Sequence, residues 1–438
     1  CQILAQDAQQ DGETLKPVQQ TMQAAKNLEP RFVHREQVQQ ATSKLQALET
    51  RSGKRPNILI LLVDDMGWGD PGVYGGGEAV GAATPHIDRL AHEGLRLTSA
   101  YAQPPCSPTR ATILTGRLPI RHGLHRPPQI GEKGGLEGEI TIATLLSKAG
   151  YRTAAVGKWH LGEAPAQQPQ YNGFDEYYGF LGSIKNYTEW RDPRINPPLA
   201  NDPKVVRDIQ NNPNFNKNLI RATRNQPHEE VYEIDIEAAA NIDIDTMRYS
   251  VDFIERMKDE TKPWFLYHCF GKVHYDNYPA EGFKGSSAAK GVYQDAVVEV
   301  DHIVGQIIDA LERTGQASET LVFFTSDNGP EDDTWPDAGQ TPFRGAKWST
   351  WEGGVRVPGI ARWPGMIATG RVSDGLFDLA DLFMTAAAMG HAKIPEDRYI
   401  DGVDQTSFLL ADTGISNREA ILYYMGDTFS AMRVGPLK

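Results

Sequence analysis

The sequence predicts an α/β protein: one large, mainly parallel sheet flanked by helices, with a small antiparallel α+β unit at the C-terminal end. Three observations predict it. Short apolar runs without polar alternation recur along the chain, the clearest being "NILILLV" over 57–63, and such runs suit strands buried on both faces. Stretches of helical periodicity lie between them, so strand and helix alternate. Residues that carry chemistry cluster just after the apolar runs, where open α/β sheets bind their ligands.

Residues 1–55 are rich in Gln, Ala and Lys, and "VQQTMQAAKNLEP" and "REQVQQATSKLQALET" read as polar helices. Their apolar residues are sparse, which predicts a solvated or loosely docked lead-in. The main domain spans 56–415 and opens on the 57–63 strand. "TPHIDRLAHEG" (84–94) is a helix marked at both ends, with Thr84 as N-cap, Pro85 at its first position and Gly94 as terminator. In "PPCSPTRATILTGR" (104–117), Pro108 fits the first turn of a helix, where its missing N–H costs nothing. "TIATLLSKAG" (141–150) is a helix leading into the strand "YRTAAVG" (151–157). A long amphipathic helix over 292–315 precedes the strand "TLVFFTS" (320–326). Residues 185–245, Asn- and Pro-rich, form an insertion suited to substrate-specific loops, where Tyr187 and Trp190 could stack on a substrate. Residues 416–438 read as the start of a C-terminal subdomain cut short at Lys438.

A hydrophobic content of 40% with 8 Trp and 15 Phe supports a sizeable core. No apolar run reaches the roughly 18 residues of a membrane span. The net charge of −13 argues against nucleic acid or an anionic membrane as partner. An anionic substrate must then be drawn in by a local cluster of cations. Cys1, Cys106 and Cys269 show no CxxC spacing, so neither a zinc site nor a disulfide framework is readable. A leading cysteine is what a processed bacterial lipoprotein shows, and truncation gives the same start. A periplasmic or secreted location is the expectation.

"LLVDDMGWGD" places Asp64 and Asp65 after the first strand, "AAVGKWHLG" places Lys158 and His160 after another, and "FFTSDNGP" places Asp327 and Asn328 after a third. The acidic and amide oxygens are hard ligands that suit Ca²⁺ or Mg²⁺ better than zinc. Lys158, His160, His274 in "GKVHYDNYP" and Lys347 in "TPFRGAKWSTWEGG" are candidate anion clamps and proton donors. His268 and His302 have no such motif around them. Cys106 and Arg110, four apart, share a helix face, with helix N–H groups and a guanidinium facing one anion pocket.

These motifs, "CSPTRATILTGR", "DDMGWGD", "GKWHLG", "FTSDNG" and "STWEGGVRVP", give the chain a close resemblance to the type I, formylglycine-dependent sulfatases of the alkaline phosphatase superfamily. The resemblance runs from about Pro56 to beyond Pro364. It implies that Cys106 is oxidised to Cα-formylglycine by a formylglycine-generating or an anaerobic maturation enzyme, with Pro108 and Arg110 serving recognition. It implies Asp64, Asp65, Asp327, Asn328 and the modified Cys106 as metal ligands. Arg110, Lys158, His160, His274 and Lys347 fall on the positions that bind sulfate or move protons. The substrate implied is a sulfate monoester, of an aryl alcohol or a carbohydrate. Two departures lie where the leaving group should sit: "GKVHYDNYP" in place of the commoner "APHxP", and Trp348 in place of a small residue.

A phosphonate or phosphate ester hydrolase on the same scaffold is the nearest alternative, since the cradle accepts either tetrahedral anion. A non-catalytic binder of sulfated glycans is the alternative if Cys106 stays unmodified. A cysteine-dependent phosphatase is excluded, because it needs arginine six positions after the cysteine, where Thr112 stands.

Overall fold

The computed structural model describes residues 33–129, 132 and 134–438. Cys1 and the first polar helix of the lead-in lie outside these residues. The principal helices are α1 (Arg35–Ser52), α2 (Pro85–His92), α3 (Cys106–Thr115), α4 (Ile142–Lys148), α5 (Ile236–Arg256), α6 (Val292–Arg313) and α7 (Asp381–Met389). The strands are β1 (Asn57–Val63), β2 (Leu95–Tyr101), β3 (Arg152–Lys158), β4 (Glu176–Phe180), β5 (Asn218–Thr223), β6 (Glu229–Glu233), β7 (Trp264–Cys269), β8 (Thr320–Ser326), β9 (Arg356–Arg362), β10 (Arg371–Ser373), β11 (Phe377–Asp378), β12 (Ala420–Met425) and β13 (Thr428–Val434).

β1 shows why the sheet is central. It pairs in parallel with β7 on one side and β8 on the other, and all of its residues are buried. Ile58, Ile60 and Leu62 enter one core with Ile113 of α3, Leu146 of α4 and Phe383 of α7. Leu59, Leu61 and Val63 enter the opposite core with Ile87 of α2 and Val300, Val304 and Ile307 of α6. Each such side chain contributes about 1.5–3 kcal/mol by leaving water, which is why the run shows no polar alternation. Among the described residues, eleven strands form one sheet in the order β10-β2-β9-β8-β1-β7-β3-β4-β5-β6, with β11 beside β2. Its central four, β8-β1-β7-β3, are parallel, while β9, β5 and β6 run antiparallel to neighbours.

Several local expectations are refined. Thr84 holds the N-cap position of α2 but its hydroxyl accepts from Gly72 N instead of capping. The Asp301 carboxylate of α6 accepts the free N–H groups of His86 and Ile87, at 3.0 and 2.8 Å. α1 is docked: Ala41 and Leu48 are buried, Gln37 Nε2 donates to Ser407 Oγ and Ile415 O, and Lys44 Nζ donates to Met366 O and Leu410 O. A short apolar stripe of Ala41, Leu45 and Leu48 packs on the main core, and the polar ties add to it.

The 185–245 stretch supplies β5 and β6, which extend the sheet beyond β4. Tyr187 and Trp190 are not available to a substrate: they are 0% and 3% exposed, packed in a small core with Phe180 and Phe215. The Tyr187 hydroxyl accepts from Gly182 N and Trp190 Nε1 donates to Asn186 O, so both polar tips are spent internally. β12 and β13 form a separate antiparallel hairpin whose Ile421 and Tyr423 pack on Tyr101 and Val355. No described helix is long and apolar enough to cross a membrane.

Candidate active site

The carboxyl ends of β8, β1, β7 and β3 lie side by side, and the site is built where they end. Asp64 and Asp65 follow β1, Asp327 and Asn328 follow β8, Lys158 closes β3 with His160 two residues on, and His274 follows β7. α3 begins at Cys106 and is buried throughout. Gly157 permits this convergence, since a Cβ there would stand 1.8 Å from Cys269 O on the neighbouring strand. Gly329 does the same after Asn328, where a Cβ would stand 1.8 Å from Gly353 O. Asp65, His160 and Trp348 adopt left-handed backbone with φ of 60°, 59° and 71°. Each costs about 1–3 kcal/mol for a non-glycine residue, and such strain collects at functional sites.

The side chains form a compact net of opposite charges. Arg110, 0% exposed, donates Nε to Asp327 Oδ2 at 2.9 Å and Nη1 to Lys158 O at 3.0 Å, and its Nη2 lies 2.7 Å from Asp327 Oδ2 and 3.6 Å from Asp64 Oδ1. Lys158 Nζ is ion-paired with Asp64 Oδ2. Lys347 Nζ donates to Asp65 Oδ2 at 2.7 Å and to Glu331 Oε2 at 3.1 Å. Asn328 Nδ2 donates to Asp65 Oδ1 at 2.7 Å. Cys106 Sγ lies 3.3 Å from His160 Nδ1, and His274 Nε2 lies 3.7 Å from Asp65 Oδ2.

Burial and these neighbours set the protonation of the groups. Burial pushes the Cys106 thiol up to about 11 against the pull of Lys158 and Lys347, so the unmodified residue is a poor thiolate. Burial, then Lys158 and Arg110, hold His160 well below the ordinary imidazole range. Burial and Lys347 do the same to His274, with Asp65 opposing. Burial alone would raise Asp65, but Lys347, His274 and Lys158 outweigh it and keep this carboxyl ionised far below its ordinary value. At Asp64 burial wins over Lys158, and its carboxyl is raised, with Asp327 adding to the rise.

The donor set fits a hard divalent cation. Asp64, Cys106 and Asp327 offer ligand atoms within 4.8 Å of one another. Asp64 Oδ1 and Asn328 Oδ1 are buried without a hydrogen-bond donor. Leaving such an acceptor unmet costs about 1–3 kcal/mol, and an oxygen-seeking ion such as Ca²⁺ or Mg²⁺ would meet both.

The structure therefore brings together all ten residues singled out in the sequence, Asp64, Asp65, Cys106, Arg110, Lys158, His160, His274, Asp327, Asn328 and Lys347. It adds two that sequence reasoning missed. Ser183 Oγ lies 3.4 Å from both Lys158 Nζ and His274 Nε2. Its one signal was a place just after the β4 strand. Glu331 opens an acidic "EDD" run that reads as a solvated loop. His268 is buried and bonded to Ser250 Oγ, away from this set.

Comparison with known proteins agrees with the geometry. The Sulfatase family model matches residues 56–392. The chain is 38% identical to N-acetylgalactosamine-6-sulfatase of Canis lupus familiaris over 400 residues, covering 87% of this chain and 71% of the relative. It is 35% identical to arylsulfatase A of Bos taurus over 386 residues, covering 84% and 70%. Among solved structures, the PsFucS1 sulfatase from Pseudoalteromonas sp. superposes with a TM-score of 0.89 at 46% identity, covering 93% of this chain and 82% of that one. The matched span takes in every one of the strand-end residues described above, and on that ground this chain belongs to the sulfatase family of sulfuric ester hydrolases.

Proposed function

We propose that this chain hydrolyses a sulfate monoester, of an aryl alcohol or a carbohydrate, to the alcohol and inorganic sulfate, with a Cα-formylglycine made from Cys106. A maturation enzyme, formylglycine-generating or anaerobic, carries out that oxidation. A periplasmic or secreted location belongs to the same proposal. The observation that carries it is the setting of Cys106: buried at the start of α3, 3.3 Å from His160, with its thiol pushed up to about 11. A cysteine so placed is badly suited to attack as a thiolate, although it stands at the centre of the charged site.

A cation, Ca²⁺ or alternatively Mg²⁺, would be held by Asp64, Asp65, Asp327, Asn328 and residue 106, and would supply Lewis acidity to the reacting oxygen. The hydrated aldehyde would supply two hydroxyls on one carbon, which neither serine nor cysteine can. Lys158 and Lys347 neutralise the sulfate oxygens. Arg110 sets the charge beneath them, its guanidinium held by Asp327 and the Lys158 carbonyl. His160, neutral and beside residue 106, takes the proton from the second hydroxyl. His274 and Lys347 converge on Asp65 Oδ2, and the one proton taken by the departing alcohol comes from His274, once the anionic ester beside it has favoured its imidazolium form, or from the Lys347 ammonium.

The test is mass spectrometry of the peptide containing residue 106, expected about 18 Da lighter than its cysteine form, together with turnover of 4-nitrophenyl sulfate. An active enzyme whose Cys106 is entirely a thiol would overturn the mechanism. An inactive, unmodified protein that holds sulfated glycans would instead be a binder.

A further inference from the structure

Lys347 is held at both ends by consecutive residues. Its backbone N–H donates to Pro330 O at 2.9 Å, and its Nζ donates to Glu331 Oε2 at 3.1 Å. The other acceptor of Nζ is Asp65 Oδ2, at 2.7 Å. Asp65 is a shared group. Its Oδ1 accepts from Asn328 Nδ2, its Oδ2 faces His274, and the cation proposed above draws on the same carboxylate. A cation and an ammonium competing for one carboxylate repel each other, so Lys347 needs a second anion to stay in place. Glu331 is not among the proposed cation ligands. Its carboxylate, that of Asp65 and the His274 ring offer atoms within 4.8 Å of one another, and its side chain is 17% exposed, at the boundary between the cradle and solvent.

We propose that Glu331 is a positioning residue for sulfate ester hydrolysis: its carboxylate holds the Lys347 ammonium toward the leaving group while Asp65 serves the cation. The proposal rests on the role given to Lys347 above. A lysine has many rotamers to lose, and a second carboxylate selects the one that places Nζ beside His274. The Pro330–Glu331 pair does this with a backbone acceptor for one end of Lys347 and a charged acceptor for the other.

The experiment is a double-mutant cycle in the matured full chain, pairing Glu331→Gln and Glu331→Asp with Lys347→Ala. Turnover of 4-nitrophenyl sulfate and the calorimetric affinity for inorganic sulfate are both read. Replacing the charged acceptor of the Lys347 ammonium by a neutral amide predicts that Glu331→Gln lowers kcat/KM about 10- to 100-fold, with Glu331→Asp retaining more activity than Glu331→Gln. In the Lys347→Ala background the same Glu331 changes should cost less than about threefold, and sulfate affinity should show the same coupling. Equal fold-losses in both backgrounds would overturn the proposal, because a merely structural carboxylate matters whether or not Lys347 is present. The underlying reading fails by a different sign, wild-type turnover in Cys106→Ala.

Discussion

The two histidines of the site face different parts of it, and this separates their expected roles. His160 Nδ1 lies 3.3 Å from Cys106 Sγ, whereas His274 Nε2 lies 3.7 Å from Asp65 Oδ2 and 3.4 Å from Ser183 Oγ. Cys106→Ala should abolish turnover of 4-nitrophenyl sulfate while leaving the melting transition in place, and Cys106→Ser should do nearly the same in a host without a serine-directed maturase. His160→Ala should still release the first phenol but stall afterwards. Stopped-flow traces should show a burst of about one phenol per site, then slow turnover. His274→Ala should slow the first release, most for poor leaving groups such as sugar alcohols, because an aryl oxide needs less protonation. A burst in His274→Ala and none in His160→Ala would reverse the assignment. Side chains of this kind were legible because each follows an apolar run or sits in a recognisable motif. Ser183 and Glu331 were not, since a serine or a glutamate in a loop is ordinary until its neighbours are known.

The loop that carries His274 is gripped by two helices, and Lys272 is the link between them. The Asp243 carboxylate of α5 accepts the N–H groups of Gly271 and Lys272, at 2.8 and 3.0 Å. The Lys272 ammonium, also buried, donates to Glu299 of α6 at 2.9 Å, and the other Glu299 oxygen accepts Ala280 N at 2.9 Å. Val273 N in turn donates to Asp64 O, so the loop is tied to the cation-binding turn. Lys272→Met leaves two buried carboxylates without their counter-charge, and breaking a buried pair in this way costs about 3–5 kcal/mol. Urea denaturation should show that loss, and Glu299→Gln in the same background should recover part of it. A Lys272→Met midpoint unchanged from wild type would mean the grip is not electrostatic. The sequence marked "GKVHYDNYP" as unusual but could not say why, because both partners of Lys272 are distant along the chain. The capping of α2 by Asp301 was hidden for the same reason, and Thr84, the local candidate, bonds elsewhere.

Alternation of strands and helices predicted that strand-end motifs would converge, yet not their arrangement. In chain order the site-bearing strands are β1, β3, β7 and β8, while in space they run β8-β1-β7-β3. Crossovers of that kind are fixed by packing on both faces, which the apolar runs do not record. The burial of Tyr187 and Trp190 was equally hidden, since an aromatic residue in a polar stretch reads as exposed until the small core around Phe215 is seen. The acidic chain, at −13, nevertheless concentrates Arg110, Lys158 and Lys347 at one point. There they face Asp64, Asp65 and Asp327, all buried.

That balance leads to the prediction for the metal. A cation bound only by the folded state stabilises it by about 2.7 kcal/mol at a hundredfold excess over its Kd. Ca²⁺ should therefore raise the melting temperature of the wild type, and chelation should lower it together with activity. Asp327→Asn removes the principal partner of the Arg110 guanidinium as well as a proposed ligand, so it should melt lower even without Ca²⁺. The informative quantity is then the Ca²⁺ response and not the absolute midpoint. In Asp64→Asn and Asp327→Asn that response should move to higher Ca²⁺ concentration, and added Ca²⁺ should restore part of the lost turnover. If wild-type melting were indifferent to Ca²⁺ and activity survived prolonged chelation, the two donor-less oxygens of Asp64 and Asn328 would have to be met by something other than a divalent ion.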